Sequence, residues 1–74
     1  MEQKVLEVLQ EEFDYIDFTS DTLVDDGVMD SLTITETIAL LTMEFGIEIP
    51  YEEIIEENFN SIAGLAKMVE RLQA

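Results

Sequence analysis

Apolar residues recur at spacings of three and four in three stretches of this chain, and that periodicity limits what it can fold into. Val5, Leu6, Val8, Leu9 and Phe13 make one such stripe. Ile34, Ile38, Leu41 and Phe45 make a second, and Ile62, Leu65, Ala66, Val69 and Leu72 a third. Spacing of this kind lines up one side of an α-helix. No alternating run is long enough for a useful strand; Ile47-Glu48-Ile49 is only a short extended piece. The expected fold is therefore all-α, a bundle of three main helices plus one short helix. With 74 residues, the whole chain, 1–74, reads as a single domain with a modest core.

The boundaries follow from local chemistry. The first helix is expected from Met1 to about Phe13. Asp14 to Asp30 is rich in Asp, Ser and Thr and reads as a long connection, with Ile16, Phe18, Leu23 and Val28 pinning it across the helices. The second helix is expected from Ser31 to Phe45, with Gly46 closing it. Pro50 disfavours helix at Ile49. A short third helix is expected from Tyr51 to about Glu57, with Ile54 and Ile55 turned inward and Phe59 in the link that follows. Asn60 or Ser61 can cap the last helix. Gly64, in its first turn, marks close packing.

Composition excludes several classes of function. At 47% apolar the chain is not disordered. With no cysteine there is neither a disulfide nor a zinc–thiolate site, and with no histidine the commonest general base is missing. Ser–His–Asp chemistry is impossible, and Lys4 and Lys67 are not spaced for a Ser–Lys pair. An EF-hand reading fails as well. With Gly27 at the sixth position, Val24 and Thr33 fall where the third and twelfth ligands belong. The chain is not expected to be an enzyme or to bind a metal. It has no apolar run of membrane-spanning length and no signal segment, so it reads as cytoplasmic, without membrane insertion.

Charge carries the remaining compositional signal. Three basic residues stand against eighteen acidic ones, a net charge of −15. Such a surface repels nucleic acid and attracts proteins with basic patches. No positive charge lies between Lys4 and Lys67, so the middle of the chain is purely acidic.

Ser31 stands at the loop–helix junction in the stretch Gly27-Val28-Met29-Asp30-Ser31-Leu32-Thr33. Asp30-Ser31-Leu32 resembles the attachment motif of acyl carrier proteins. The acidic composition, the long loop before the motif and the segment Phe45-Gly46-Ile47-Glu48-Ile49-Pro50 extend that resemblance over nearly the whole chain. It implies a four-helix bundle of acyl-carrier-protein type, in which a phosphopantetheinyl transferase hangs a 4′-phosphopantetheine arm from coenzyme A on Ser31. A helix N-terminus suits the phosphate of that arm, and the arm brings the thiol that a cysteine-free chain lacks. Asp30 would help the transferase read the site. Leu32 and Met29 would form an apolar contact at the base of the arm. Glu36, Glu44, Glu52, Glu53 and Glu56 would meet basic patches on the enzymes that load and process the cargo. The carrier is expected to be a monomer.

The resemblance implies an acyl thioester in biosynthesis of the fatty-acid or polyketide type. Gly27-Val28-Met29-Asp30-Ser31 and Phe59-Asn60-Ser61 resemble more closely the D-alanyl and other stand-alone carriers, and Thr33, Thr35, Thr42 and Met43 stand where the fatty-acid type often has acids. A D-alanyl or other aminoacyl cargo is therefore the alternative. Outside the carrier class, the rival is an acidic helical module that binds a basic partner without modification. Self-repulsion at −15 predicts that moderate salt or millimolar magnesium raises the melting temperature, as thermal unfolding followed by circular dichroism will read.

Overall fold

The computed structural model describes residues 1–74. Its elements are α1 (Glu2–Glu12), α2 (Ser31–Phe45), a 3₁₀ turn (Tyr51–Glu53), α3 (Glu56–Phe59) and α4 (Ile62–Gln73). There are no strands, and the architecture is the helical bundle of acyl-carrier type. α4 packs against α1 and α3, and α1 also packs on α2. The radius of gyration is 10.9 Å, close to the ~11 Å of a compact chain of this length. The long first loop is therefore folded down onto the helices. No helix is long and apolar enough to cross a membrane.

The apolar stripes of α1 and α4 build the core as their spacing requires. Val5, Leu9, Phe13, Leu65, Ala66 and Val69 are buried, and Met68 joins them. Ile16, Phe18 and Leu23 carry the loop into the same core. Val28 and Met29 exchange the places expected of them. Val28 is exposed, whereas Met29 is only 1% exposed and fully packed. The Met29 N–H donates to the Leu23 carbonyl at 2.8 Å, and this closure turns Met29 inward after the bend at Gly27 (φ +76°). Met29 therefore belongs to the core and is not a contact for the arm or for a partner.

α2 is rotated relative to its apolar stripe. Its most buried residues are Thr33, Thr37 and Leu41, while Ile34, Ile38 and Phe45 are half-buried. α1 and α4 hold the buried side. Ile34 instead faces a cleft shared with Ile54, Ile55 and Phe59. Threonine has the branched shape of valine and fits the tight side, although its polarity hides it from a search for apolar spacing. Gly46 ends α2 in the left-handed conformation (φ 62°, ψ 39°), its N–H donating to Thr42 O, which a residue with a Cβ rarely adopts.

The expected third helix is broken in two. The N–H groups of Glu53 and Ile54 bond to Pro50 O and Tyr51 O, each at 3.0 Å, closing the 3₁₀ turn. Ile54 then leaves helical geometry and Ile55 is extended (φ −129°, ψ 156°). Two successive β-branched residues resist the helix, and the Asn58 side chain bonds to Glu53 O at 2.7 Å in its place. Ile55 is 45% exposed rather than inward, and Phe59 is buried within α3 rather than in a link. Ser61 is the residue that caps α4, accepting from Gly64 N–H at 3.0 Å. A Cβ on Gly64 would lie 2.7 Å from Glu57 O, so close packing does require glycine there.

The Thr37 side chain is fully buried, and its hydroxyl has no hydrogen-bond partner. A buried orphan of this kind costs on the order of 1–3 kcal/mol. Thr37→Val keeps the shape and removes the orphan. Denaturant unfolding of this variant is expected to show a gain of about 1 kcal/mol, which for a domain of this size is a rise of roughly 4–8 °C in melting temperature.

Candidate functional site

The first turn of α2 is built by a division of labour between two adjacent polar residues. Asp30 is the N-cap, with extended backbone (φ −85°, ψ −177°), and its Oδ1 accepts from Thr33 N–H at 2.9 Å. This bond satisfies one of the unpaired donors at the helix start. Ser31 is the first helical residue and is exposed. Because Asp30 occupies the cap, the Ser31 hydroxyl is spared that duty. The Ser31 carbonyl accepts from the Thr35 hydroxyl at 2.8 Å. Leu32 follows, 70% exposed despite being apolar.

The Asp30 carboxyl is held below the ordinary carboxylate range, chiefly by the Thr33 backbone N–H and then by the Thr33 side chain. The ionised form is the one that caps, so the positive end of the helix and the charge reinforce each other.

The other expected site residues divide by position. Glu36, Glu44, Glu52 and Glu56 are all exposed. Glu53 is only half-exposed and is used internally. Its Oε1 lies 2.6 Å from Arg71 on α4 and accepts from Asn58 Nδ2 at 3.0 Å. It ties the 3₁₀ turn to α4, and a partner could engage it only by displacing Arg71. The outward side of α2 carries Leu32, Thr35, Ala39 and Met43, all exposed, with Met43 at 82%. Apart from Glu36 beside it, this face is uncharged. Leu32, Ala39 and Met43 lie off the buried side of α2, as their spacing in the sequence indicates, and make a neutral strip in the acidic middle of the chain.

A small cleft opens beside the same helix turn. Val24, Ile34, Ile54, Ile55, Glu56 and Phe59 line a volume of about 150 Å³. Larger grooves, of about 420 and 580 Å³, border α1 and have mixed polar and apolar walls, with no residue from the first turn of α2. There is no cluster of acidic side chains arranged to hold a metal ion.

Comparison with known proteins identifies the family. Residues 3–69 match the family model described as phosphopantetheine attachment site. The chain belongs to the phosphopantetheine carrier family. It is 32% identical over 75 residues to the D-alanyl carrier proteins of Streptococcus pyogenes serotypes M5 (strain Manfredo), M49 (strain NZ131) and M1, covering 99% of this chain and 95% of each relative. No solved structure matches it. The cofactor of such a carrier is covalently attached 4′-phosphopantetheine, and carriers of this family work with a phosphopantetheinyl transferase and with loading or processing enzymes. The residues present fit the group: an exposed hydroxyl relieved of capping, at the electropositive start of a fifteen-residue helix, is suited to a phosphate ester.

Because the folded-state pKa of Asp30 is depressed, its contribution to stability is present above the unfolded carboxylate pKa. It is lost as pH falls through the folded value. Asp30→Asn keeps a capping oxygen without the titration. The fall in melting temperature between pH 7 and pH 3 is expected to be smaller in that variant than in the natural chain.

Proposed function

We propose that Ser31 carries the 4′-phosphopantetheine arm and that this chain is an aminoacyl carrier, with D-alanine as its cargo. The observation that carries the attachment reading is the cap at α2: Asp30 takes the Thr33 N–H, and the neighbouring Ser31 is left exposed at the helix mouth. Asp30 fixes the turn that presents the hydroxyl, and Leu32 offers an apolar surface at the base of the arm. The arm supplies the thiol on which the cargo rides. The chain itself performs no catalysis, since it has neither histidine nor cysteine to activate a nucleophile.

Two observations favour an aminoacyl cargo over a fatty-acid or polyketide one. The relatives that match over nearly the full chain are named D-alanyl carrier proteins. The apolar cleft that Ile34 of the first turn of α2 lines holds about 150 Å³, roughly the size of a cavity that admits one benzene. A small amino acid needs no such shelter, and a long acyl chain exceeds it. The partners are then the transferase and an adenylating ligase for the amino acid. Both must approach the mouth of α2, where Leu32 begins the uncharged face that runs along the helix past exposed Glu36, and Glu56 lines the cleft that Ile34 enters, with Glu52 exposed on the 3₁₀ turn. Their basic patches meet these acids. A salt-dependent on-rate is the expected signature of that steering.

Incubation with coenzyme A and a broad-specificity phosphopantetheinyl transferase is expected to add one arm, as seen by intact-protein mass spectrometry. Ser31→Ala is expected to abolish the addition. The loaded form should then accept D-alanine from ATP and a D-alanine-activating ligase in preference to a long-chain acyl group. An arm on another residue, or none, would contradict the attachment reading. An unmodified chain whose partner binding survives Ser31→Ala would point to an acidic interaction module instead, and preferential long-chain loading would overturn the cargo.

A further inference from the structure

The backbone of the loop that leads to Ser31 is held by one residue distant in the chain. Asn60 lies between α3 and α4. Its side-chain Oδ1 accepts from two successive backbone N–H groups, Val24 at 2.8 Å and Asp25 at 3.1 Å. Its backbone carbonyl accepts from Leu23 N–H at 3.0 Å. Its Nδ2 reaches the Asp25 carboxylate at 3.4 Å. Three consecutive loop amides thus end on a single residue thirty-five or more positions away in the chain.

From this anchor the loop is short of freedom. Asp26 N–H bonds to Thr22 O at 2.8 Å, Gly27 N–H to Val24 O at 3.0 Å, and Met29 N–H back to Leu23 O at 2.8 Å. Leu23 is therefore tied to Asn60 on one side and to Met29 on the other. Met29 is followed directly by Asp30, the cap, and by Ser31. No other side chain outside the loop forms a hydrogen bond to the Leu23–Met29 backbone.

We propose that Asn60 is a positioning residue for modification at position 31, an inference that rests on Ser31 being the attachment residue. It acts through the Leu23–Met29 turn and does not touch the reacting hydroxyl. Loss of the Asn60 acceptor leaves the Val24 and Asp25 amides free to find water, and the turn samples other conformations. The transferase then meets a competent junction in only a fraction of molecules. Apparent affinity falls by that fraction, so the effect is in KM more than in kcat. Asparagine suits the role because one end of its amide accepts from the two N–H groups while the other donates to Asp25.

The test uses the full chain, coenzyme A and a broad-specificity phosphopantetheinyl transferase. Asn60→Ala is expected to lower kcat/KM for arm transfer by about tenfold, mainly through KM, with helicity retained. Asn60→Asp combined with Asp25→Asn exchanges donor and acceptor while keeping all three side-chain bonds, and is expected to stay within about twofold of the natural chain. Arg71→Ala, which breaks the Glu53 pair and leaves the loop alone, serves as the control for lowered stability and is expected to leave transfer unchanged. Should Asn60→Ala not fold, Asn60→Asp alone sets two carboxylates together and is expected to lose activity that the double variant regains. Asn60→Ala at the natural kcat/KM would overturn the proposal, as would losses in Asn60→Ala and Arg71→Ala that follow melting temperature alike. Failure of the natural chain to take any arm would instead overturn the Ser31 reading beneath it.

Discussion

The bond from Thr33 N–H to the Asp30 carboxylate organises the start of α2, where the proposed attachment residue stands. It starts α2, places a negative charge at the helix's positive end, and frees the next residue from capping. Had Ser31 been the cap, its hydroxyl would accept an amide and point back at the backbone. An exposed, unengaged hydroxyl at a helix mouth is what an attachment site requires, and the two-residue arrangement produces it without strain. Non-glycine residues throughout keep negative φ.

The rest of the molecule can be understood as support for that turn. The core residues of α1 and α4 form a base, and Leu23 and Met29 anchor the two ends of the turn before the cap into it. Asn60 holds the same turn by hydrogen bonds where apolar packing cannot reach backbone amides. The 3₁₀ turn and α3 are tied to α4 by the single Arg71–Glu53 pair and by Asn58. That pair is substantially solvated and contributes modestly to stability. Its consequence is geometric: it ties the 3₁₀ turn to α4.

Much of this was legible in the sequence. Helical spacing located α1, α2 and α4 to within a residue or two, and Gly46, Ser61 and Gly64 proved to have the backbone roles their chemistry suggested. Family membership followed from Asp30-Ser31-Leu32 at a loop–helix junction. What escaped the sequence has a common cause: it depended on tertiary partners. Thr33 and Thr37 are buried on the packed side of α2, and a search for apolar spacing does not count threonine. Met29 rather than Val28 packs inward because a loop hydrogen bond sets the alternation. Tyr51 to Glu57 breaks at Ile54-Ile55 because Asn58 offers Glu53 another bond. Glu53 looked like any surface acid until Arg71, far along the chain, was placed beside it. Asn60 resembled a cap and is an anchor for a distant loop.

The central claim is that Asp30, and not Ser31, caps α2. Carbon-detected NMR titration of the Asp30 carboxyl tests it directly, read together with the Thr33 amide shift. The account predicts a midpoint below the ordinary carboxylate range, with the Thr33 amide moving at the same midpoint. An ordinary midpoint at Asp30 with an indifferent Thr33 amide would contradict it.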